Sequence, residues 1–335
     1  MTLFLNSFAH FLVDALSITT LFSGGASGDS LLIGVLLYNT LAFSTQCIVG
    51  LVIDRFGHCR TWESAAFALV ILGFALPVPF LARIALVGIG NSIFHVAAGT
   101  VTLQQSAGRA WSLGVFVAPG AFGVTLGTLF PRFGWALACL MALTAAILLL
   151  RKEESVPPVE ERKPAGNSFP LLAVALLTVA VAVRALGGVA VSFPWKQTAF
   201  HAFLMTFFVF AGKAAGGFVC ERLGAARSAW LSIPFAAVCI AFFSSNMPLS
   251  LLGQLLLNLT MPVTLWLLYR LMPDSPAFSF GLAASALWPG TIAGYFIQLS
   301  GPYLSTLVIL SFCFGIFAIL YASRFLSKSE RSESI

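Results

Sequence analysis

The chain has 335 residues, of which 59% are hydrophobic and 9% are charged, and its formal net charge is +6. Since an average soluble domain is about 25% charged, a soluble fold of this composition would lack the polar surface that water requires. Soluble, disordered and nucleic-acid-binding proteins are therefore excluded. The composition indicates a protein that crosses the lipid bilayer several times.

Twelve apolar segments are long enough to cross a membrane, since a helix needs about 20 apolar residues to do so. They run over residues 3–22, 31–52, 61–77, 79–103, 113–130, 134–150, 170–190, 198–219, 228–244, 248–271, 278–299 and 303–325. The sequence therefore predicts an all-α integral membrane protein with twelve transmembrane helices. These spans leave no room for a separate soluble domain.

One long polar stretch divides the spans into two groups of six. Its charges and prolines, over residues 151–168, are typical of a flexible connection. We therefore expect an N-terminal half at 1–150, a cytoplasmic linker at 151–169 and a C-terminal half at 170–326. The serine-rich residues 327–335 are expected to form a cytoplasmic tail.

The basic residues predict the orientation of the chain. With a cytoplasmic amino terminus, thirteen arginines and lysines lie in the inner loops, linker and tail, whereas only Arg132 and Lys196 lie outside. Cytoplasmic loops of membrane proteins carry such an excess of positive charge. The asymmetry predicts an even number of crossings with both termini cytoplasmic, and the short loops suit a bacterial inner membrane.

An internal repeat connects the two halves. GLVIDRFGHCR begins at Gly50, and GFVCERLGAAR begins at Gly217, half a chain length later. The matching positions are Gly50 and Gly217, Asp54 and Glu221, Arg55 and Arg222, Gly57 and Gly224, and Arg60 and Arg227. Asn91 and Asn258 are separated by the same offset. A repeat of half the chain length predicts two six-helix units in parallel orientation.

The repeated motif joins the second span to the third and the eighth to the ninth. Its glycines permit close helix contact and a tight turn, and its acid and arginines can form charge-assisted hydrogen bonds at the membrane face. A cluster of this kind that forms in one conformation and breaks in another would act as a gate. The alternative is a positively charged loop with a local ion pair.

This motif, present in both halves, resembles the signature loop of the major facilitator superfamily. GIGNSIFHVAAGT at residues 88–100 and HFLVD at residues 10–14 resemble stretches of fosmidomycin-resistance-type efflux proteins. FVAPGAFGVTLG, from Phe116, resembles the glycine-rich fifth helix of proton-coupled antiporters, without a complete Gly-Pro-x-x-Gly-Gly. The resemblance implies a monomeric secondary transporter that moves a small molecule by alternating access, with protons as the coupling ion and efflux as the direction.

Asp14 lies deep in the first predicted span, and His10 precedes it by one helical turn. A charge at the centre of a membrane helix costs about 2.5–3.5 kcal/mol on insertion scales, and residues i and i+4 share one helix face. We expect Asp14 to be the proton-coupling site and His10 to tune it. The alternative is a buried Asp–His bond that orients the first helix. The resemblance adds Arg83, before the Gly-x-Gly of the fourth span, although its long side chain could instead reach the outer interface.

Polar residues of other spans are candidates for substrate binding. Arg184, deep in the seventh span, would pair with Asp14 across the halves or bind an anionic substrate. Lys213 would face the cavity or neutralise Glu221. The remaining candidates, which could instead form interhelical hydrogen bonds worth about 0.6 kcal/mol each, are Asn39, Asn91, His95, Asn258 and Gln298, with Tyr38, Gln46, Gln254 and Tyr295 as further possibilities.

Several kinds of chemistry have no motif in the sequence. There is no P-loop, no HExxH metal motif and no Gly-x-Ser-x-Gly nucleophile elbow, so we expect no enzyme activity, metal or cofactor. Three basic residues within spans, beside Asp14, favour a small organic anion or a zwitterion as substrate. Proton-coupled efflux is the first hypothesis. Proton-coupled import of an organic anion, a transporter-like receptor and a membrane enzyme using His10 and Asp14 are the alternatives.

Overall fold

The computed structural model describes residues 2–150, 170–297 and 299–333, with side chains as far as residue 328. All regular secondary structure within these ranges is helical, which confirms the prediction of an all-α protein. The predicted linker at 151–169 and the candidate residue Gln298 lie outside the described residues.

The N-terminal half consists of eight α-helices with two breaks inside predicted spans. They are α1 (Thr2–Ser23), α2 (Gly28–Asn39), α3 (Gln46–Phe56), α4 (Cys59–Ala75), α5 (Phe80–Gln105), α6 (Ala110–Val117), α7 (Gly120–Leu129) and α8 (Gly134–Leu150). A π-helical turn at Thr40–Ser44 joins α2 to α3, and a 3₁₀ turn at Pro131–Phe133 precedes α8. The fifth span breaks between α6 and α7 at Pro119, because proline has no N–H and its ring obstructs the carbonyl four residues earlier.

The C-terminal half consists of seven α-helices and has a matching break. They are α9 (Leu171–Ala190), α10 (Ala199–Leu223), α11 (Ala225–Phe242), α12 (Met247–Leu271), α13 (Pro276–Ser285), α14 (Leu287–Phe296) and α15 (Gly301–Glu333). The break between α13 and α14 precedes Pro289, which acts on the helix as Pro119 does. The last helix continues beyond residue 325, where the sequence predicted the end of the final span.

Ten helical segments of the described chain are long and apolar enough to cross a bilayer. Two segments that the sequence predicted as spans are not among them. One is α4, which has 17 residues, and the other is the interrupted pair α13 and α14. Large apolar side chains such as Phe4, Trp135 and Leu150 are exposed on the outside of the bundle, as expected for a surface that contacts lipid.

Glycines bring α7 into close contact with α1. A Cβ atom added at Gly127 would lie 2.5 Å from the carbonyl oxygen of Ala15 and 2.9 Å from the amide nitrogen of Thr19. In the C-terminal half, a Cβ atom at Gly294 would lie 2.7 Å from Val189, which brings α14 against α9 in the same way. Only a residue without a side chain permits such an approach.

The contact between α7 and α1 can be tested by overpacking. We expect Gly127→Leu to lower the free energy of unfolding by about 1–3 kcal/mol, because the new side chain would collide with the α1 backbone. Gly188→Leu in α9 is the matched control, since a Cβ atom there meets nothing within 4 Å. The measurement is the apparent melting temperature of each purified variant in detergent. Equal melting temperatures for the two variants would contradict this packing.

Candidate functional site

A central cavity of about 580 Å³ lies between the two halves. On α1 its lining runs from His10 to Phe22, and on α7 it runs from Gly120 to Thr128. The cavity therefore extends from the middle of the bundle toward the end at which α1 and α7 finish. Most lining residues are apolar, and the polar and charged ones are His10, Asp14, Tyr38, Asn39, Gln46, His95, Thr128, Arg184, Lys213, Thr264 and Tyr295.

His10, Asp14 and His95 form a cluster on the N-terminal wall of the cavity. The Nε2 atom of His10 lies 3.2 Å from Oδ2 of Asp14, and that of His95 lies 3.7 Å from Oδ1. The Nε2 atoms of the two histidines lie 2.8 Å apart. Asn91 donates a hydrogen bond of 2.8 Å from its amide to Oδ1 of Asp14. Four residues proposed from the sequence for proton coupling or substrate binding thus meet at one point. His10, Asp14 and His95 line the cavity, and Asn91 lies behind them.

The hydrogen bonds of the two imidazoles constrain which ring nitrogens carry a hydrogen. His10 Nδ1 lies 2.8 Å from the carbonyl oxygen of Phe116, and His95 Nδ1 lies 2.8 Å from that of Asn91. Because a carbonyl oxygen only accepts, both Nδ1 atoms carry a hydrogen. Two neutral rings would then point their Nε2 lone pairs at each other across this short contact. A hydrogen bond between the two Nε2 atoms would then need one additional proton between His10 and His95, beside the carboxylate of Asp14.

The same three residues lie close enough together to be compared with a metal site, since their ligand atoms are all within 4.8 Å of one another. Two nitrogens that each lie about 2.0–2.1 Å from a tetrahedral zinc ion are about 3.3 Å apart. The observed separation of 2.8 Å between the Nε2 atoms is instead that of a hydrogen bond. The geometry thus favours a shared proton over a tetrahedral metal ion.

Arg184 and Lys213 face the cavity from the C-terminal half. Nη1 of Arg184 donates a hydrogen bond of 3.0 Å to Oγ1 of Thr260. Lys213 lies within electrostatic range of Asp14, His95 and Arg184. The N-terminal wall of the cavity therefore carries an acid and two histidines, and the C-terminal wall carries two basic side chains.

The other residues proposed from the sequence have different positions. Asn39 lines the cavity and donates to the carbonyl oxygen of Val35 on its own helix. Arg83 lies off the cavity lining, where Nε and Nη2 donate to the carbonyl oxygens of Gly73 and Phe74 at the end of α4. Asn258 also lies off the lining, and its amide donates to Gln254. Tyr38, Gln46 and Tyr295 line the cavity, whereas Gln254 does not.

The first copy of the repeated motif contacts the other half at the opposite end of the bundle. Asp54 accepts hydrogen bonds from the backbone nitrogens of Ala277 at 2.9 Å and Phe278 at 2.7 Å, in the first turn of α13. The first turn of a helix has unpaired N–H groups and a positive dipole end, so a carboxylate is a suitable partner. At Gly50, an added Cβ atom would lie 2.7 Å from Cα of Phe278. The motif therefore holds α3 against the other half.

The second copy makes the corresponding contact in the reverse direction. Oε1 of Glu221 accepts a hydrogen bond of 3.2 Å from the backbone nitrogen of Trp111, in the first turn of α6. A Cβ atom at Gly217 would lie 2.5 Å from Cα of Trp111. The offset from Trp111 to Phe278 along the chain equals the offset from Gly50 to Gly217. The first motif thus binds the start of α13, and the second motif binds the start of α6, which is the corresponding helix in the other half.

The two turn glycines of the motif adopt conformations that other residues rarely reach. Gly57 has φ +67° and Gly224 has φ +81°, which lie in the region that only glycine visits readily. These turns let the next helix begin within one or two residues, α4 at Cys59 and α11 at Ala225. The second glycine of each motif is therefore required by the backbone.

The motif arginines make other contacts than those expected. Among the described residues neither Asp54 nor Glu221 forms an ion pair with an arginine, and both bind backbone N–H groups instead. Arg60 donates to the carbonyl oxygen of Leu148. Arg55 lies over the ring of Phe56 at 5.8 Å. Arg222 and Arg227 are exposed.

Sequence reasoning missed three residues of interest. Thr260 and Thr264 flank Pro262 in α12, and they bind Arg184 and line the cavity, respectively. The sequence contains one indication of Thr260 and Thr264, which is a proline between two threonines in a transmembrane helix. Such a helix is locally irregular and polar. Glu63 in α4 is a second buried acid within a predicted span, and it lies off the cavity lining.

Comparison with solved structures identifies the fold. The crystal structure of the major facilitator superfamily transporter FucP in the outward conformation matches with a TM-score of 0.72 and 14% identity, over 96% of this chain and 98% of that chain. A variant of the E. coli fucose:proton symporter FucP matches with a TM-score of 0.65 and 15% identity, over 96% of each chain. A scan against protein-family models and a search of curated proteins each find no match. The chain has the fold of major facilitator superfamily transporters.

The closing role of the motif acids can be tested with native cysteines. Cys47 lies beside α13, where its backbone nitrogen binds Ser285. We expect Asp54→Asn to weaken closure by about 1–2 kcal/mol, because the amide loses its charge at a helix N-terminus. The rate of Cys47 alkylation by N-ethylmaleimide, read by mass spectrometry, should then rise by about 5- to 30-fold.

Two controls apply to this alkylation experiment. Asp29→Asn removes an acid in the first turn of α2, away from the closed end, and it should leave the rate at Cys47 unchanged. Cys239 is buried in α11, so its rate should not change in Asp54→Asn. Unchanged labelling of Cys47 in Asp54→Asn would show that the carboxylate does not hold this end closed.

Proposed function

We propose that the chain is a member of the major facilitator superfamily and a secondary active transporter that moves a small molecule by alternating access. One observation carries the proposal: a cavity with a proton-holding cluster lies between two halves that close on each other at one end by a repeated contact. Breaking this contact would expose the cavity at the closed end. The similarity of the fold to FucP supports the same conclusion.

The proposed architecture has twelve crossings in two parallel repeats. In addition to the ten candidate spans, α4 and the interrupted pair α13 and α14 supply the remaining two. The reciprocal contacts of Asp54 and Glu221, at positions half a chain length apart, support a two-fold relation between residues 1–150 and 170–326. Residues 151–169 would then be the linker between the halves.

The proposed orientation places the closed end in the cytoplasm. This end carries the motif arginines Arg55, Arg60, Arg222 and Arg227, and positive charge concentrates on the cytoplasmic side. Both termini are then cytoplasmic, the cavity faces outward, and a bacterial inner membrane is the proposed location. We propose that the transporter acts as a monomer, because each six-helix half finds its partner within the same chain.

The proposed coupling ion is the proton held between His10 and His95. Asp14 supplies the balancing negative charge, and Asn91 orients its carboxylate. Loss of the proton would leave two imidazole lone pairs opposed, which forces the pair apart and changes the cavity wall. Arg83 would act indirectly, since its bonds to the carbonyl oxygens of Gly73 and Phe74 hold α5 against the end of α4.

Two directions of transport have support. Efflux follows from the resemblance to fosmidomycin-resistance-type proteins. Import of an organic anion with a proton is the second candidate, and the two cavity cations Arg184 and Lys213 favour it. A receptor would bind a ligand without flux, and an enzyme would form a product without vectorial movement, so a flux measurement separates both from transport.

Removing the balancing charge tests proton coupling. In proteoliposomes loaded with a fluorescent pH indicator, we expect at least one compound from a panel of organic acids, sugars and amphiphilic drugs to move protons. Asp14→Asn should reduce this proton movement by about tenfold or more, because the neutral amide no longer balances an imidazolium. Exchange of the radiolabelled compound without a pH gradient should persist, since exchange needs no net proton movement.

The matched control for this experiment is again Asp29→Asn, which changes an acid off the cavity lining. It should retain full proton movement. Undiminished proton-driven accumulation in Asp14→Asn would contradict the proposed coupling site. Absence of flux for the whole panel, in vesicles that contain folded protein, would contradict the transport proposal.

A further inference from the structure

The two cations of the C-terminal wall have no acidic partner. Within the described part of the chain, no carboxylate lies within ion-pair distance of Arg184 or Lys213, and Asp14 is the one acid on the cavity lining. Asp14 already accepts from Asn91 and contacts His10. The negative charge of the cavity is thus committed to the N-terminal wall.

The hydrogen bonding of the two cations leaves donors available. The guanidinium of Arg184 has five N–H groups, and its bond to Thr260 engages Nη1 alone. In the described structure the ammonium group of Lys213 donates no hydrogen bond to a protein atom. A charge away from bulk water is costly unless it is paired. Two such cations that face the same cavity are therefore suited to share an anionic group of a ligand.

The rest of the lining defines the body of that ligand. Leu21, Phe43, Val117, Phe280 and Leu287 supply apolar walls around the polar positions. We infer that the substrate of the proposed transporter is a small organic acid, with its anionic group between Arg184 and Lys213 and its apolar body against these walls. This inference rests on the proposed function, because it names the substrate class of the same cavity.

The charges of the cavity also relate the proton to the anion. The charged and titratable groups that line the cavity with the histidine pair are Asp14 on α1, Tyr38 on α2, Arg184 on α9, Lys213 on α10 and Tyr295 on α14. With the shared proton present, the cavity holds three positive charges, on the histidine pair, Arg184 and Lys213, and the one negative charge of Asp14. Without the proton it holds two positive charges and the same negative charge. A bound proton therefore strengthens anion binding, and by linkage a bound anion strengthens proton binding. Ligands that bind together travel together, so the charge balance favours symport and hence uptake.

The substrate class can be tested with compounds that differ only in the head group. The purified full-length protein is screened by thermal shift with 4-phenylbutyrate, 4-phenylbutan-1-ol and 4-phenylbutylamine, and with octanoate, benzenesulfonate and phenylphosphonate beside their neutral amides. We expect stabilisation by acids and none by their alcohol, amine or amide counterparts. Stabilisation by the neutral or cationic compounds in preference to the acids, or by none of the acids, overturns the inference.

Variants of the two cations locate the binding site. Arg184→Gln and Lys213→Gln should each weaken binding of the best acid by about tenfold or more, as expected for loss of a charge-assisted bond. Arg184→Lys, which keeps the charge, should restore part of the affinity. Lys196→Gln removes an exposed lysine off the lining and should bind as the parent does. If the Gln variants fold, judged by their melting without ligand, and bind the acid normally, the inference is wrong.

A pH series and a flux assay complete the test. Benzenesulfonate keeps its charge, so its affinity should rise by about fivefold or more as the pH falls through the imidazole range of about 8 to 5, and His95→Gln should abolish this rise. A fall in affinity over this range overturns the predicted symport. Proton movement in vesicles with a sugar or an amine, but not with an acid, would support the transport proposal and overturn the inference of an anionic substrate. Binding of acids without any flux would overturn the transport proposal and support the inference of an anionic ligand.

Discussion

The 2.8 Å contact between the Nε2 atoms of His10 and His95 is the interaction on which the site depends. Both rings have their other nitrogen committed to a backbone carbonyl, so neither can turn to relieve the contact. With hydrogens on both Nδ1 atoms, a hydrogen bond between the Nε2 atoms needs a proton between the rings, and a negative charge beside them stabilises it. Asp14 is the carboxylate beside the pair, and the proposed proton would balance its buried charge.

The packing around the cluster allows this contact to form. The break at Pro119 ends α6 and leaves carbonyl groups of its last turn outside the regular helical ladder, and that of Phe116 accepts from His10. Gly120 follows the break, where any side chain would collide with His10 and Asp14. A helix break and a glycine therefore create the space and the acceptor that the cluster needs. At the closed end, Asp54 and Glu221 likewise bind backbone groups that a helix end leaves unpaired. Each accepts from N–H groups in the first turn of a helix in the other half.

Much of the fold could be predicted from the sequence because membrane helices are defined by local composition. The helical class, the apolar segments and the repeat at half the chain length required no tertiary information. The sharing of one helix face by His10 and Asp14 was equally local. The partnership of His10 with His95, far along the chain on α5, was not predictable, because nothing in either segment specifies the contact. Likewise, the length of Arg83 and its place before a Gly-x-Gly did not show that it would bind the end of α4. The acids of the motif bind backbone N–H groups, which are present in every sequence and mark no particular position.

Nuclear magnetic resonance of the histidines is the most direct test for the proposed proton between His10 and His95. The protein is labelled with ¹⁵N-histidine and placed in lipid nanodiscs, and His10→Gln and His95→Gln variants assign the signals. A shared proton predicts protonated Nδ1 atoms on both rings and a scalar coupling between their Nε2 atoms, transmitted through the one proton that bridges them. Two neutral rings without this coupling, at a pH where the cavity end is accessible and the protein is folded, would contradict it.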